Sequence, residues 1–275
     1  MKIGGKIPLR YDFMKMRTGI SSACFYPLDT IESLKECVKG GFDLAEIFIN
    51  THSEMSGEYY REMKAFIDDS GLQILSVHPF TSGYENVIFF AGYERRIEDG
   101  VEYYKNYFDF AARLGAKFVV FHGNNMKNKF CGFERYAQIF TKINECAHTF
   151  GVELIHENTT WCIARDAEGV SKLRAACPDM KFVFDAKQAC RGGYDPYAVL
   201  RAMGDHVVHV HINDWADGHC TPPCMGKLDM KRIIDRLYEV GYQGDTVVEV
   251  YRENFTDIYQ LEASAKLIQK IIRKE

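Results

Sequence analysis

The chain has 275 residues, 47% hydrophobic and 26% charged, with a formal net charge of -4. That composition supports a large buried core and argues against disorder. The acidic balance, without long Lys/Arg runs, lacks the positive footprint of a nucleic-acid enzyme.

In chain order, short apolar runs rich in β-formers occur at residues 18–24, 44–49, 73–78, 118–122, 153–157, 182–185, 207–211 and 246–250. Between and after them lie helix-like segments at 31–39, 59–69, 94–114, 133–150, 166–176, 196–203, 230–240 and 257–274. Gly40-Gly41, Gly71, Gly115, Gly151 and Gly241 stand where helices should stop before the next strand. Eight such units predict an α/β fold, a (β/α)8 TIM barrel, in a single domain covering 1–275. The rival is a doubly wound sheet, which would open with a glycine-rich phosphate turn after the first strand. Cys24-Phe25-Tyr26-Pro27 stands there instead. No low-complexity linker divides the chain. Residues 1–10 are charged and Gly-rich rather than an apolar leader, and no run approaches the ~18 apolar residues of a membrane helix. Nine scattered cysteines fit reduced thiols, so a cytoplasmic location is expected, with no membrane and no nucleic-acid partner.

Chemistry in a barrel sits at the strand ends, where the βα loops converge. Polar side chains end six of the predicted strands: His78, His122, Glu157, Asp185, His211 and Glu249. From Glu157 onward the steps are 28, 26 and 38 residues, each about one strand–helix unit, so the four residues reach one rim. A lone acid at a strand end is usually a cap or solvated. Three carboxylates gathered together repel unless a cation neutralises them. One imidazole with three carboxylates suits one divalent metal ion: Mn, Mg, Co or Zn. His209 shares the inward parity of His211 but lies deeper, as a supporting or core histidine.

The segments HENTTW (156–161), FDAKQ (184–188), HVHIND (209–214) and VVEVY (247–251) resemble the xylose-isomerase-like TIM barrel superfamily of sugar phosphate isomerases and epimerases. That superfamily is related to ketose 3-epimerases, inosose dehydratase, hydroxypyruvate isomerase, 3-dehydroshikimate dehydratases and endonuclease IV. The resemblance implies that Glu157, Asp185, His211 and Glu249 form its single-metal set, with Glu157 and Glu249 as the catalytic acid/base pair. It also implies a small sugar or polyol substrate and barrels that pair as a homo-oligomer. Two positions depart from the epimerase pattern: Gln188 stands in place of a histidine and Asp217 in place of an arginine. His78 and His122 match histidines that bind an additional zinc in endonuclease IV, and Asp217-Gly218-His219 resembles a further ligand pair there. Here His78 and His122 are read as substrate-binding or acid/base groups, with a structural role as the alternative.

The function expected from this is a metal-dependent sugar or sugar-phosphate isomerase/epimerase acting through a metal-stabilised ene-diolate. The alternatives are a dehydratase of the inosose or 3-dehydroshikimate type, and an endonuclease IV-like phosphodiesterase. Substrate-binding candidates are His78, His122, Lys187, Gln188 and Arg252, with Arg252 and Arg191 the weaker anion contacts. Lys187 is balanced between an anion contact and a solvated loop lysine. Trp161, Trp215, Phe25, Tyr26, Phe80 and Tyr84 are candidate pocket walls, with packing as the competing role.

Overall fold

The computed structural model describes residues 16–126 and 130–275. The charged opening segment, residues 1–10, lies outside them. The eight apolar runs become parallel strands: β1 Thr18–Ser21, β2 Leu44–Phe48, β3 Gln73–His78, β4 Phe118–Phe121, β5 Glu153–Glu157, β6 Lys181–Asp185, β7 Val207–Ile212 and, after a hairpin, β10 Thr246–Val248. They close in the order β1-β10-β7-β6-β5-β4-β3-β2. This is a (β/α)8 TIM barrel. Both faces of such a sheet are covered, which is why the strands read as nearly continuous apolar runs rather than alternating ones.

Two strands end two or more residues before the sequence expectation. β1 stops at Ser21, whose Oγ accepts from Ala23 N at 3.3 Å and turns residues Ser22–Phe25 into a short 3-10 helix. β10 stops at Val248, although Glu249 N still donates to Ile212 O at 3.3 Å, which keeps Glu249 in line with the barrel.

The helices among the described residues are α1 Thr30–Lys39, α2 Gly57–Ser70, α3 Glu85–Phe89, α4 Glu94–Leu114, α5 Phe133–Thr149, α6 Ala167–Ala176, α7 Ala186–Arg191, α8 Pro196–Met203, α9 Met230–Glu239 and α10 Ile258–Arg273. Their buried faces follow the helical repeat. In α4, Ile97, Gly100, Tyr104, Tyr107, Phe108 and Ala111 turn inward, and Gly115 stops the helix at φ 73°, where a Cβ would be strained. None of the described helices is long and apolar enough to cross a membrane.

Asp side chains cap several helices by accepting from a backbone N–H of the first turn: Asp29, Asp166, Asp185, Asp195, Asp229 and Asp257. Two short helices, α3 and α7, lie in βα loops and have too few residues to show a period. An antiparallel pair, β8 Asp214–Ala216 and β9 His219–Thr221, was likewise unannounced. Asp217 (φ 50°) and Gly218 (φ 87°) form its tight turn, as a two-residue hairpin with both residues at positive φ requires.

The barrel interior is layered. Val120, Ile155 and Val183 pack with Phe118 and Val208 in one apolar cluster, and Leu44, Leu75 and Val247 meet Phe118 in another. Side chains two residues on share the same face of a strand. The apolar plug of Val120, Ile155, Val183 and Val247 is therefore followed, toward the C-terminal rim, by His122, Glu157, Asp185 and Glu249.

Candidate metal centre

Glu157 ends β5, Asp185 ends β6, His211 is the next-to-last residue of β7, and Glu249 follows β10 directly. The structure brings these four together: one ligand atom from each lies within 4.8 Å of the others. His211 Nδ1 is the hub. It stands 3.0 Å from Glu249 Oε2, 3.5 Å from Glu157 Oε1 and 3.7 Å from Asp185 Oδ2, yet is buried without a hydrogen-bond partner.

Two of the three carboxylates are held from behind. The other oxygen of Glu157, Oε2, accepts from His122 Nε2 at 2.6 Å, with His78 Nε2 at 3.6 Å. Asp185 Oδ1 accepts from Asn213 Nδ2 at 3.0 Å and from Gln188 N at 3.2 Å, so Asp185 caps α7 with one oxygen and turns the other toward His211. The ring of His211 is fixed through its far nitrogen, Nε2, 3.1 Å from Glu46 Oε2.

Two like charges 4 Å apart repel by about 4 kcal/mol at an effective dielectric of 20. Three carboxylates at this spacing therefore need positive charge between them. Two side chains bring some of it. Burial opposes a charge on His211, but Glu249 and Glu46 hold its pKa well above the ordinary imidazole value. Lys187, 1% exposed, places its ammonium against both Asp185 and Glu249, and despite its burial these carboxylates hold its pKa well above the usual lysine range. Burial raises Asp185 even with Lys187 beside it. Glu157 and Glu249 resist the same burial and stay well below the carboxylate range, because His122 and His211 face the first and His211 and Lys187 the second. The residues fit a divalent ion: one imidazole nitrogen without a hydrogen-bond partner and three inward carboxylate oxygens, a set of hard and borderline donors.

His78 and His122 join the cluster through Glu157. Their Nε2 atoms are 3.2 Å apart. Burial works against a charge on His78, yet the hydrogen bond to Glu157 raises its pKa; at His122 burial prevails and lowers it. Trp161 meets the His122 ring edge-to-face at 5.5 Å. His122 in turn hangs on Glu85, whose Oε2 accepts from the backbone N–H groups of His122, at 2.7 Å, and Gly123. Gly123 has no room for a side chain: a Cβ would fall 1.8 Å from the Tyr136 hydroxyl.

Of the remaining candidates, all but Lys187 lie farther out. Lys187 is a buried member of the centre rather than a solvated loop residue. The Gln188 side chain is engaged with the neighbouring loop, its Oε1 accepting from Thr160 Oγ1 at 2.9 Å and Thr160 N at 3.2 Å. Arg252 covers the Phe255 ring at 4.8 Å and donates to Phe255 O at 3.1 Å. With Phe25 it lines a cleft of 590 Å³ beside the start of α10. Arg191 donates to the Tyr251 hydroxyl at 3.2 Å. Asp217 and His219 sit on the exposed β8–β9 hairpin, where Asp217 pairs with Lys227; neither joins a metal-capable cluster among the described residues.

Four supporting residues escaped the sequence reading: Glu46, Glu85, Asn158 and Asn213. Asn158 and Asn213 follow Glu157 and His211 by one and two residues, so an amide just past a candidate ligand was the available signal. Glu46 offered another, as the single acid in the apolar run LAEIF.

A family model described as the xylose isomerase-like TIM barrel matches residues 34–274. Among curated proteins, the rhizopine catabolism protein MocC of Rhizobium meliloti is 24% identical over 73% of this chain and 70% of that protein. Among solved structures, a D-tagatose 3-epimerase-like protein aligns with a TM-score of 0.76 at 20% identity, over 94% of this chain and 99% of that one. An L-ribulose 3-epimerase aligns at 0.74 and 19%, over 94% and 96%. An IOLI protein with a bound zinc atom aligns at 0.74 and 17%, over 94% and 99%. At these identities the structures establish a shared fold.

Proposed function

The chain belongs to the xylose isomerase-like TIM barrel family, and from that premise we propose that it is a metal-dependent sugar or sugar-phosphate isomerase or epimerase working by proton transfer beside a carbonyl. One observation carries this reading: Glu157 and Glu249 turn carboxylate oxygens toward the same atom, His211 Nδ1, from β5 and β10, which β6 and β7 separate in the barrel. The sugar epimerases among the similar structures support the same class of substrate.

A divalent ion held by Glu157, Asp185, His211 and Glu249 would polarise a substrate carbonyl and stabilise the negative charge that develops on its oxygen. The chain's own side chains do the rest. One glutamate removes the proton from the carbon beside the carbonyl, and the other, or the same one, returns it. Return to the opposite face inverts the centre, and return to the neighbouring carbon exchanges aldose and ketose. His122, donating to Glu157 Oε2, keeps that carboxylate ionised and oriented as a base. His78, His122 and Lys187 are the substrate contacts nearest this centre, with Gln188 and Arg252 farther out.

A second reading, loss of a β-hydroxyl from the same kind of substrate, rests on Lys187, a buried ammonium beside Glu249 able to protonate a departing oxygen. Metal-loaded protein incubated with ketoses, inososes and keto acids in deuterium oxide decides between them. Deuterium entering the carbon beside the carbonyl of recovered substrate or product is expected. Unsaturated product favours elimination. Epimerised product without deuterium at that carbon rules out proton transfer between the two glutamates.

A further inference from the structure

We propose that Glu46 is the positioning residue that presents His211 to the metal through Nδ1, an inference resting on the reading of Glu157, Asp185, His211 and Glu249 as a metal site. Glu46 lies in the middle of β2 and is fully buried inside the barrel. It reaches His211 on β7, which is not a neighbouring strand, since β1 and β10 intervene. A carboxylate buried without partners costs several kcal/mol, so its surroundings must answer it. They do. Oε1 accepts from Ser21 Oγ at 2.9 Å, and Oε2 accepts from Ser76 Oγ at 2.8 Å, His209 Nε2 at 3.1 Å and His211 Nε2 at 3.1 Å.

An ionised carboxylate only accepts hydrogen bonds. The His211 nitrogen facing Glu46 must therefore carry hydrogen. In the neutral ring this leaves the lone pair on Nδ1, the atom that faces Glu157, Asp185 and Glu249. Glu46 thus selects the tautomer and fixes the plane of the ring, and its charge makes Nδ1 a stronger donor. Ser21 and Ser76 hold the carboxylate from the flanking strands, so its position is set independently of the rim. His209 completes the shell, its ring against Phe118 at 6.1 Å, sealing the carboxylate from the apolar plug.

A brace across the barrel would use the same bonds, so the test must separate metal affinity from stability. The full chain is prepared with Glu46→Gln and Glu46→Asp. Co²⁺ affinity is measured by chelator competition, the Co²⁺ absorption spectrum is recorded, and the metal-free melting temperature is taken. Glu46→Gln should weaken Co²⁺ binding ~10–100-fold and shift the ligand-field bands. Glu46→Asp, which keeps the charge, should recover part of the loss. Wild-type affinity and spectrum in Glu46→Gln would overturn the proposal. So would a loss of affinity that only tracks the melting temperature, with the spectrum unchanged. Should Glu46→Gln fail to fold, Glu46→Asp decides alone: several-fold weaker binding in a folded protein supports the role, and unchanged binding ends it. A wild-type protein that takes up no divalent ion overturns the metal reading itself, a result visible without any variant.

Discussion

Asn158 and Asp185 exchange two hydrogen bonds across the rim: Asn158 Nδ2 donates to Asp185 O at 2.8 Å, and Asp185 N donates to Asn158 Oδ1 at 2.7 Å. The pair ties the end of β5 to the end of β6, so it sets the spacing between Glu157 and Asp185. Both residues are fully buried. Removing the amide leaves a backbone N–H and C=O without partners, each costing about 1–3 kcal/mol. Asn158→Ala should therefore lower unfolding free energy by about 2–6 kcal/mol in urea titration. It should also weaken divalent-metal uptake. A loss below about 1 kcal/mol would show that the rim is held by other contacts.

Lys187 makes a different prediction because it acts as the chain's own counter-ion. Its ammonium faces Asp185 and Glu249, two of the four residues read as metal ligands. Taking one partner from a buried charge cluster costs about 3–5 kcal/mol. Lys187→Met should thus destabilise the metal-free protein by about that amount and the metal-loaded protein by much less, since the ion supplies the missing charge. Melting curves with excess chelator and with excess Mn²⁺ measure the difference. Equal losses in both states would deny Lys187 this role.

His211 links metal uptake to pH. Its imidazole is held protonated by Glu249 and Glu46, against burial, well above the ordinary 6.5. A pKa raised on folding adds stability that is full below 6.5 and is lost as pH rises through the folded value. Metal coordination needs the neutral ring, so binding near pH 7 should expel about one proton, and affinity should climb with pH until the ring deprotonates unaided. Calorimetry in two buffers of different ionisation enthalpy gives the number directly. Zero proton release would mean that the ring is already neutral.

The barrel was legible because its strands announce themselves one by one, as apolar runs after a glycine stop, and closure follows from their number. The four rim residues were legible for a related reason: each ends a strand, and strand ends in this fold share one place. What supports them was not. Glu46 sits in mid-strand on β2; Ser21 and Ser76 reach it from the flanking strands β1 and β3, but its histidine partners on β7 meet it only once the barrel closes. Glu85 lies on the short helix α3, with no period to mark it as inward. The reading of Lys187 as surface or site turned on α7, a six-residue helix capped by Asp185 itself. Asp217 and His219 looked like a ligand pair in sequence, but the hairpin turn carries them to the surface.

Glu85 gives the sharpest pH test. Its Oε1 accepts from the Tyr104 hydroxyl at 2.9 Å and its Oε2 takes the backbone N–H groups of His122 and Gly123, all away from water. Burial pushes its carboxyl up from 4.5 to about 8, even though the Gly123 N–H, the Tyr104 hydroxyl and the His122 N–H favour the charged form. The acid ionises more easily in the unfolded chain, so stability falls as pH climbs from 4.5 toward 8 and levels off above that. Glutamine has the same shape: its oxygen can accept both backbone N–H groups while its amide nitrogen donates to Tyr104. Glu85→Gln should therefore match the wild type near pH 5 and exceed it progressively above. Between about pH 6 and about pH 9 the relative gain should reach about 2–3 kcal/mol, at roughly 1.4 kcal/mol per pH unit. Urea unfolding at the two pH values measures it, and a gain that does not change with pH would place the Glu85 proton elsewhere.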